Sequence, residues 1–158
     1  MGTNQSTTIA PKLSVSQWFN ISEPITLEKL RGKVVVIEAF QMLCPGCVSH
    51  GLPQAQQIAS VFPTHKVAVL GLHTVFEHHA AMAPVSLKAF IHEYRLTFPI
   101  GVDEATSSNI PKTMEAYQLQ GTPSLIIIDQ NGHLRAKHFG QIKDVQIGAE
   151  IATLLSEK

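Results

Sequence analysis

Val34-Val35-Val36-Ile37-Glu38-Ala39-Phe40-Gln41-Met42-Leu43-Cys44-Pro45-Gly46-Cys47 decides how the rest of the chain is read. Apolar side chains at consecutive positions of 34–40, not alternating ones, mark a strand buried on both faces. Beyond the second cysteine, Leu52, Ala55, Ile58, Ala59 and Phe62 recur on one helical face, and Pro63 ends the run. The two thiols therefore stand at a strand-to-helix junction. Unpaired N–H groups and the positive end of the helix dipole there favour a thiolate on the first sulfur. Cys44 and Cys47 are the only cysteines present, and two thiols this close in sequence can close a small disulfide ring. The spacing points to reversible dithiol–disulfide chemistry. A structural staple, a metal site and accidental spacing are the competing readings. A chain this long hardly needs a staple, and a metal would need four ligands where two cysteines exist.

Working outward, residues 67–72 form a second continuous apolar run, and a strand–helix–strand unit of this length predicts a parallel pair. Upstream, Trp18-Phe19 and Ile25-Thr26-Leu27 flank a turn-rich segment ending in Pro24, and read as an N-terminal β-hairpin. Residues 1–11 are polar and closed by Pro11; they are expected to be a flexible segment, leaving 12–158 as one domain. Downstream, Ser86 is a candidate cap for an inserted helix carrying Leu87, Phe90, Ile91 and Tyr94 on one side. Residues 99–102 read as a short extended piece. Ile110, Met114 and Tyr117 suggest a short helix with Pro111 in its first turn. Residues 124–128 read as a strand, and Asn131-Gly132 predicts a type I′ hairpin into 134–139. A last helix begins near Asp144 and turns Ile147, Ile151, Leu154 and Leu155 inward. This order predicts an α/β sandwich around a mixed sheet.

Composition narrows the function classes. Of 158 residues, 44% are hydrophobic and 15% charged, with a net charge of zero, so nothing steers the chain to nucleic acid or an anionic membrane. No apolar run approaches membrane-spanning length, so no membrane insertion is expected. The polar start lacks the basic and apolar regions of a secretion signal. That predicts a cytoplasmic location, or a periplasmic or other extracytoplasmic one if a native signal has been removed.

A Cys-x-x-Cys after a buried strand, followed by Gly121-Thr122-Pro123 before another strand, resembles the thioredoxin fold. More narrowly, Leu30-Arg31-Gly32-Lys33-Val34-Val35-Val36, the cysteine motif, Phe98-Pro99 and the segment from Gly121 to Asp129 resemble the TlpA/ResA branch of the redoxin (AhpC/TSA) superfamily. Trp18-Phe19-Asn20 and Gly71-Leu72-His73-Thr74 resemble the thioredoxin-like domain of DipZ-type proteins. The resemblance covers residues 10–155. It implies a thioredoxin-fold mixed sheet flanked by helices, with the hairpin as an N-terminal extension and one inserted helix. It also implies a thiol–disulfide oxidoreductase acting on protein or small-molecule disulfides, with no bound cofactor. An upstream thiol reductant of thioredoxin or DsbD type would be its partner.

The resemblance further assigns roles. Cys44 is expected to be the exposed nucleophile and Cys47 the shielded resolving thiol, with Pro45 and Gly46 shaping the turn between them. Pro123 is expected to be a cis proline beside the pair, offering with Thr122 a backbone edge to an extended peptide. Leu43 stands where an aromatic residue is usual and offers an apolar lip. Glu38 lies at the position of thioredoxin's buried acid. A carboxylate in an apolar strand should have a raised pKa, which suits proton exchange with Cys47; a strand-end carboxylate reaching solvent is the alternative. His50 could tune the thiols or simply be a half-exposed helix histidine, and Pro53 is expected to kink its helix. His73, His78 and His79 follow the second strand on the cysteine side, where the 74–84 loop could contact substrate or, as a histidine cluster, hold a metal.

Two other functions fit the same motif less well. A peroxiredoxin-type peroxidase wants Pro and Thr upstream of its cysteine, and this chain has Ile37 and Gln41 there. A Sco-like copper module would pair the cysteines with a distant histidine such as His133 or His138, but its cysteines are usually one residue further apart.

Overall fold

Every residue of the central strand is buried, as its unbroken apolar run requires. The computed structural model describes residues 8–157. In chain order these form β1 (Val15–Phe19), β2 (Val34–Phe40), α1 (Leu52–Val61), β3 (Val67–His73), α2 (Pro84–Glu93), β4 (Ile100–Asp103), α3 (Lys112–Ala116), β5 (Ser124–Ile128), β6 (Leu134–Phe139) and α4 (Asp144–Ser156). The six strands make one sheet in the order β1-β4-β3-β2-β5-β6. β2, β3 and β4 run parallel, while β1, β5 and β6 are each antiparallel to their neighbours. The expected mixed sheet and βαβ unit are both present.

Alternation along β2 divides the core. Val34, Val36 and Phe40 pack with Leu52, Ala55 and Ile58 of α1, Leu87 and Ile91 of α2, and Ile147, Ile151 and Leu154 of α4. Val35 and Ile37 face the other way, onto Leu27, Tyr117, Ile126 and Ile128. Each fully buried aliphatic side chain contributes about 1.5–3 kcal/mol of transfer free energy, so β2 anchors both layers. It also fixes where the chain leaves the sheet, immediately before the cysteines.

The expected N-terminal β-hairpin does not form. Residues 15–19 are a strand, but they pair with β4, with Phe19 opposite Ile100. Residues 25–27 lie in no strand, and Leu27 instead inserts into the second core. The cause is Asn20, which takes a left-handed conformation (φ 66°). Its side-chain amide donates to the carbonyls of Leu96 (2.8 Å) and Phe98 (3.0 Å), fastening the turn to the approach of β4. A distant sheet edge outcompetes the local partner.

Three smaller expectations also change. The β5–β6 loop is not a type I′ turn, because only Gly132 has a positive φ (85°) while Asn131 does not. Gly132 N–H reaches Asp129 O (3.0 Å) and Asp129 N–H reaches His133 O (2.9 Å), which is a type I turn followed by a bulge. The Asp129 carboxylate selects it by accepting the N–H groups of Asn131 and His133. α2 begins at Pro84, with no side-chain cap, so Ser86 lies inside its first turn. Proline suits that place because its missing N–H would be unpaired anyway. Of the segment expected to be flexible, residues 1–7 lie outside the described residues. The remainder is held: Ala10 N–H bonds Gly132 O (2.9 Å), and Leu134 N–H bonds Thr8 O (2.9 Å).

Candidate active site

The cysteines sit where β2 gives way to helix. Cys44 O accepts the N–H groups of Cys47 (3.1 Å) and Val48 (3.2 Å), so the chain is helical as soon as it passes the first thiol. Pro45 costs nothing in this first turn. Both thiols are free; Cys44 is half-buried and Cys47 completely so. Cys47 N–H points at Cys44 Sγ (3.3 Å), the amide donor expected at a helix start. On its other side, Cys44 Sγ lies 3.5 Å from the Thr122 carbonyl, to which the thiol donates.

Thr122-Pro123 is a cis peptide, bringing the start of β5 against the motif. Gly46 faces the proline ring: a Cβ added there would stand 3.4 Å from Pro123 Cδ. Leu43, 57% exposed, forms the outer lip. Thus Cys44, Gly46, Thr122 and the buried Pro123 come together, with exposed Leu43 next to Cys44 in the chain and Cys47 buried.

Glu38 lies deeper. It is 1% exposed, and its Oε1 has no hydrogen-bond partner among the described residues. Its carboxyl fills the space under Gly51, where an added Cβ would overlap Glu38 Oε1 and come within 3.1 Å of Pro123 Cβ. The helix opens to admit this packing. Residues Cys47–Gly51 form a π turn, with Leu52 N–H bonded to Cys47 O five residues back. Pro53 has no N–H for the carbonyl four residues back, and a wider turn accommodates its ring. The π turn stands where a simple kink was expected.

Burial holds the Glu38 carboxyl well above the usual carboxylate range, and the charge of Cys44 adds to it. Burial likewise pushes the Cys47 thiol strongly up, aided by its hydrogen bond to Cys44. The inner thiol holds its proton at neutral pH, and burial favours the protonated form of Glu38. The surface sulfur is therefore the one presented for attack.

A consequence for stability follows. Glu38 stays protonated in the fold at pH values where the unfolded chain has already ionised it. Its contribution is complete below the ordinary carboxylate pKa of about 4.3 and is lost as pH rises toward the folded value. Glu38→Gln removes this loss. Urea titrations should show the variant gaining on the parent protein above pH 4.3, by about 1.4 kcal/mol per pH unit until the carboxyl ionises in the fold.

The histidines are dispersed. His50 Nε2 donates to the Ile142 carbonyl (2.9 Å), which also receives the Gln54 amide (2.8 Å), so this pair ties the first helix to the segment before α4. His73 is buried at the end of β3, while His78 and His79 are exposed, the latter against Asn109 O (3.3 Å). His133 pairs with Asp129 and His138 with Glu150 of α4 (2.6 Å). Among the described residues, no three His, Cys, Asp or Glu side chains are grouped to hold a metal. At the two positions a peroxidase would need, Ile37 faces the second core, and Gln41 Oε1 accepts Phe76 N–H (3.1 Å).

Sequence reasoning passed over Gly51 and Phe139. The glycine's signal was its place inside a helix, which is costly unless something needs the room. Phe139, 57% exposed, covers Gly121, just before the cis proline.

The profile of the AhpC/TSA family matches residues 7–137. The chain belongs to the AhpC/TSA family. The thioredoxin fold, together with ResA relatives and an isomerase structure, makes it TlpA/ResA-like within that family. A crystal structure of a thioredoxin-like superfamily protein shares 62% identity at a TM-score of 0.95, covering 96% of this chain and 99% of that one. A thiol-disulfide isomerase from Corynebacterium glutamicum shares 50% at a TM-score of 0.90, covering 94% and 98%. Among curated relatives, thiol-disulfide oxidoreductase ResA of Halalkalibacterium halodurans is 22% identical over 79% of this chain and 64% of its own. Protein DipZ of Mycobacterium bovis is 28% identical over 84% of this chain, which spans only 18% of DipZ.

Proposed function

We propose that this AhpC/TSA member is a thiol–disulfide oxidoreductase in which Cys44 attacks and Cys47 resolves. The observation that carries the reading is the asymmetry of the pair: one half-buried sulfur receiving an amide N–H, one sealed sulfur three residues on. Cys44 thiolate attacks a substrate disulfide, the substrate S–S bond breaks, and one substrate thiolate leaves with the electron pair. Cys47 then gives up its proton and attacks Cys44 Sγ. The second substrate sulfur departs and takes up a proton, leaving Cys44 and Cys47 as a disulfide. Run backward, the same steps oxidise a dithiol. The Thr122-Pro123 edge, with Leu43 and Phe139 as apolar lips, suits an extended peptide bearing the disulfide. A thioredoxin- or DsbD-type dithiol would restore the reduced pair.

The test offers the reduced protein a protein disulfide, glutathione disulfide and hydrogen peroxide in parallel. Expected is reduction of a disulfide with one Cys44–Cys47 bond formed per event, and slow reaction with peroxide. Rapid peroxide consumption with sulfenic acid at Cys44, and no disulfide turnover, would establish the peroxidase instead.

A further inference from the structure

His73 closes β3 and is a buried polar group that disulfide exchange leaves unused. It is 1% exposed, stands opposite Phe40 in the β2–β3 register, and packs on that ring with centroids 5.1 Å apart. Its Nε2 lies 3.2 Å from the backbone nitrogen of Met42. An amide nitrogen can only donate, so Nε2 accepts and the ring is neutral, with its proton on Nδ1. Burial pushes the imidazole down to about 4, in keeping with that state. Leucine would fill the same volume without the cost of desolvating a polar ring, so the bond to Met42 is what the histidine adds.

That bond is part of a stitched bend. Phe40 O accepts Thr74 N–H (3.1 Å), Gln41 Oε1 accepts Phe76 N–H (3.1 Å), and Gln41 O accepts Cys44 N–H (3.1 Å). Hydrogen bonds thus lead from the end of β3 through residues 40–42 to Cys44 itself. We propose that His73 is a positioning residue of the dithiol site: its neutral ring holds the Met42 N–H and so fixes the 41–44 bend that presents Cys44 Sγ. The proposal rests on the oxidoreductase reading above.

The test compares His73→Leu, which packs but cannot accept, with His73→Gln, whose Oε1 can reach the same N–H. Single-turnover attack of Cys44 on an aromatic disulfide that releases a coloured thiolate should slow about tenfold in His73→Leu. His73→Gln should return to within about threefold of the parent rate. Equal rates in all three proteins, or equal losses in both variants, would overturn the positioning role. Should His73→Leu fail to fold, nitrogen NMR of the parent protein still decides. A neutral ring protonated at Nδ1 and a Met42 amide protected from exchange are expected. An Nε2–H tautomer, an imidazolium at neutral pH or rapid exchange at Met42 would defeat the proposal. These spectra do not depend on turnover. A parent protein that shows them yet reacts with no disulfide would overturn the oxidoreductase reading, and the positioning role with it, while the hydrogen bond stands.

Discussion

Cys47→Ser protein mixed with a disulfide substrate is expected to accumulate as a covalent adduct at Cys44, with turnover reduced about a thousandfold or more. The first step survives because the surface sulfur and its N–H donor from residue 47 are backbone-defined and unchanged. The second fails because a serine hydroxyl ionises far too weakly to displace a thiolate. Non-reducing electrophoresis and intact mass measurement should find one substrate equivalent per chain. Cys44→Ser should form none. Normal turnover by Cys47→Ser would mean that residue 47 is not the resolving thiol.

The second large effect is expected at a residue with no side chain. Gly51→Ala places a Cβ where the Glu38 carboxyl now lies, and the carboxyl has nowhere open to go, being 1% exposed and bounded by Pro123. Overpacking of this kind costs about 1–3 kcal/mol, and denaturant titration should show it. The diagnostic is the pair. Glu38→Ala vacates the space, so Gly51→Ala should cost far less in that background, and the two changes should be clearly non-additive. Additive losses would show that the glycine serves the π turn rather than the acid beneath it.

How much of this could be read from the chain depends on the range of the forces involved. β2, β3 and the first helix were legible because burial on two faces or one leaves a periodic trace in sequence. The dithiol was legible because both members lie within four consecutive residues. Glu38 stood out as one charge in an apolar run, although nothing there revealed that Gly51 roofs it. The failures share a cause. β1 chose β4 because the Asn20 side chain reaches carbonyls more than seventy residues away, and such a bond has no local imprint. The β5–β6 turn followed the Asp129 carboxylate and not the favoured Asn-Gly pair, a case of side-chain capping overriding a dipeptide preference. His73 was read as one of three loop histidines, because its partner, the Met42 amide, lies on another strand's exit.

Glu38 on β2 and His73 on β3 are a buried acid and a buried base on neighbouring strands, and their proton inventories run in opposite senses. Between the ordinary pKa of a carboxylate, about 4.3, and that of imidazole, about 6.5, the unfolded chain has released the Glu38 proton that the fold retains. Over the same interval the unfolded chain has gained a proton on His73 that the fold refuses. Folding in mildly acidic solution then exchanges one proton for another with no net uptake from these two, so their slopes cancel wherever the windows overlap. Over that window the contributions of these two groups compensate, and losing either member would unmask the other.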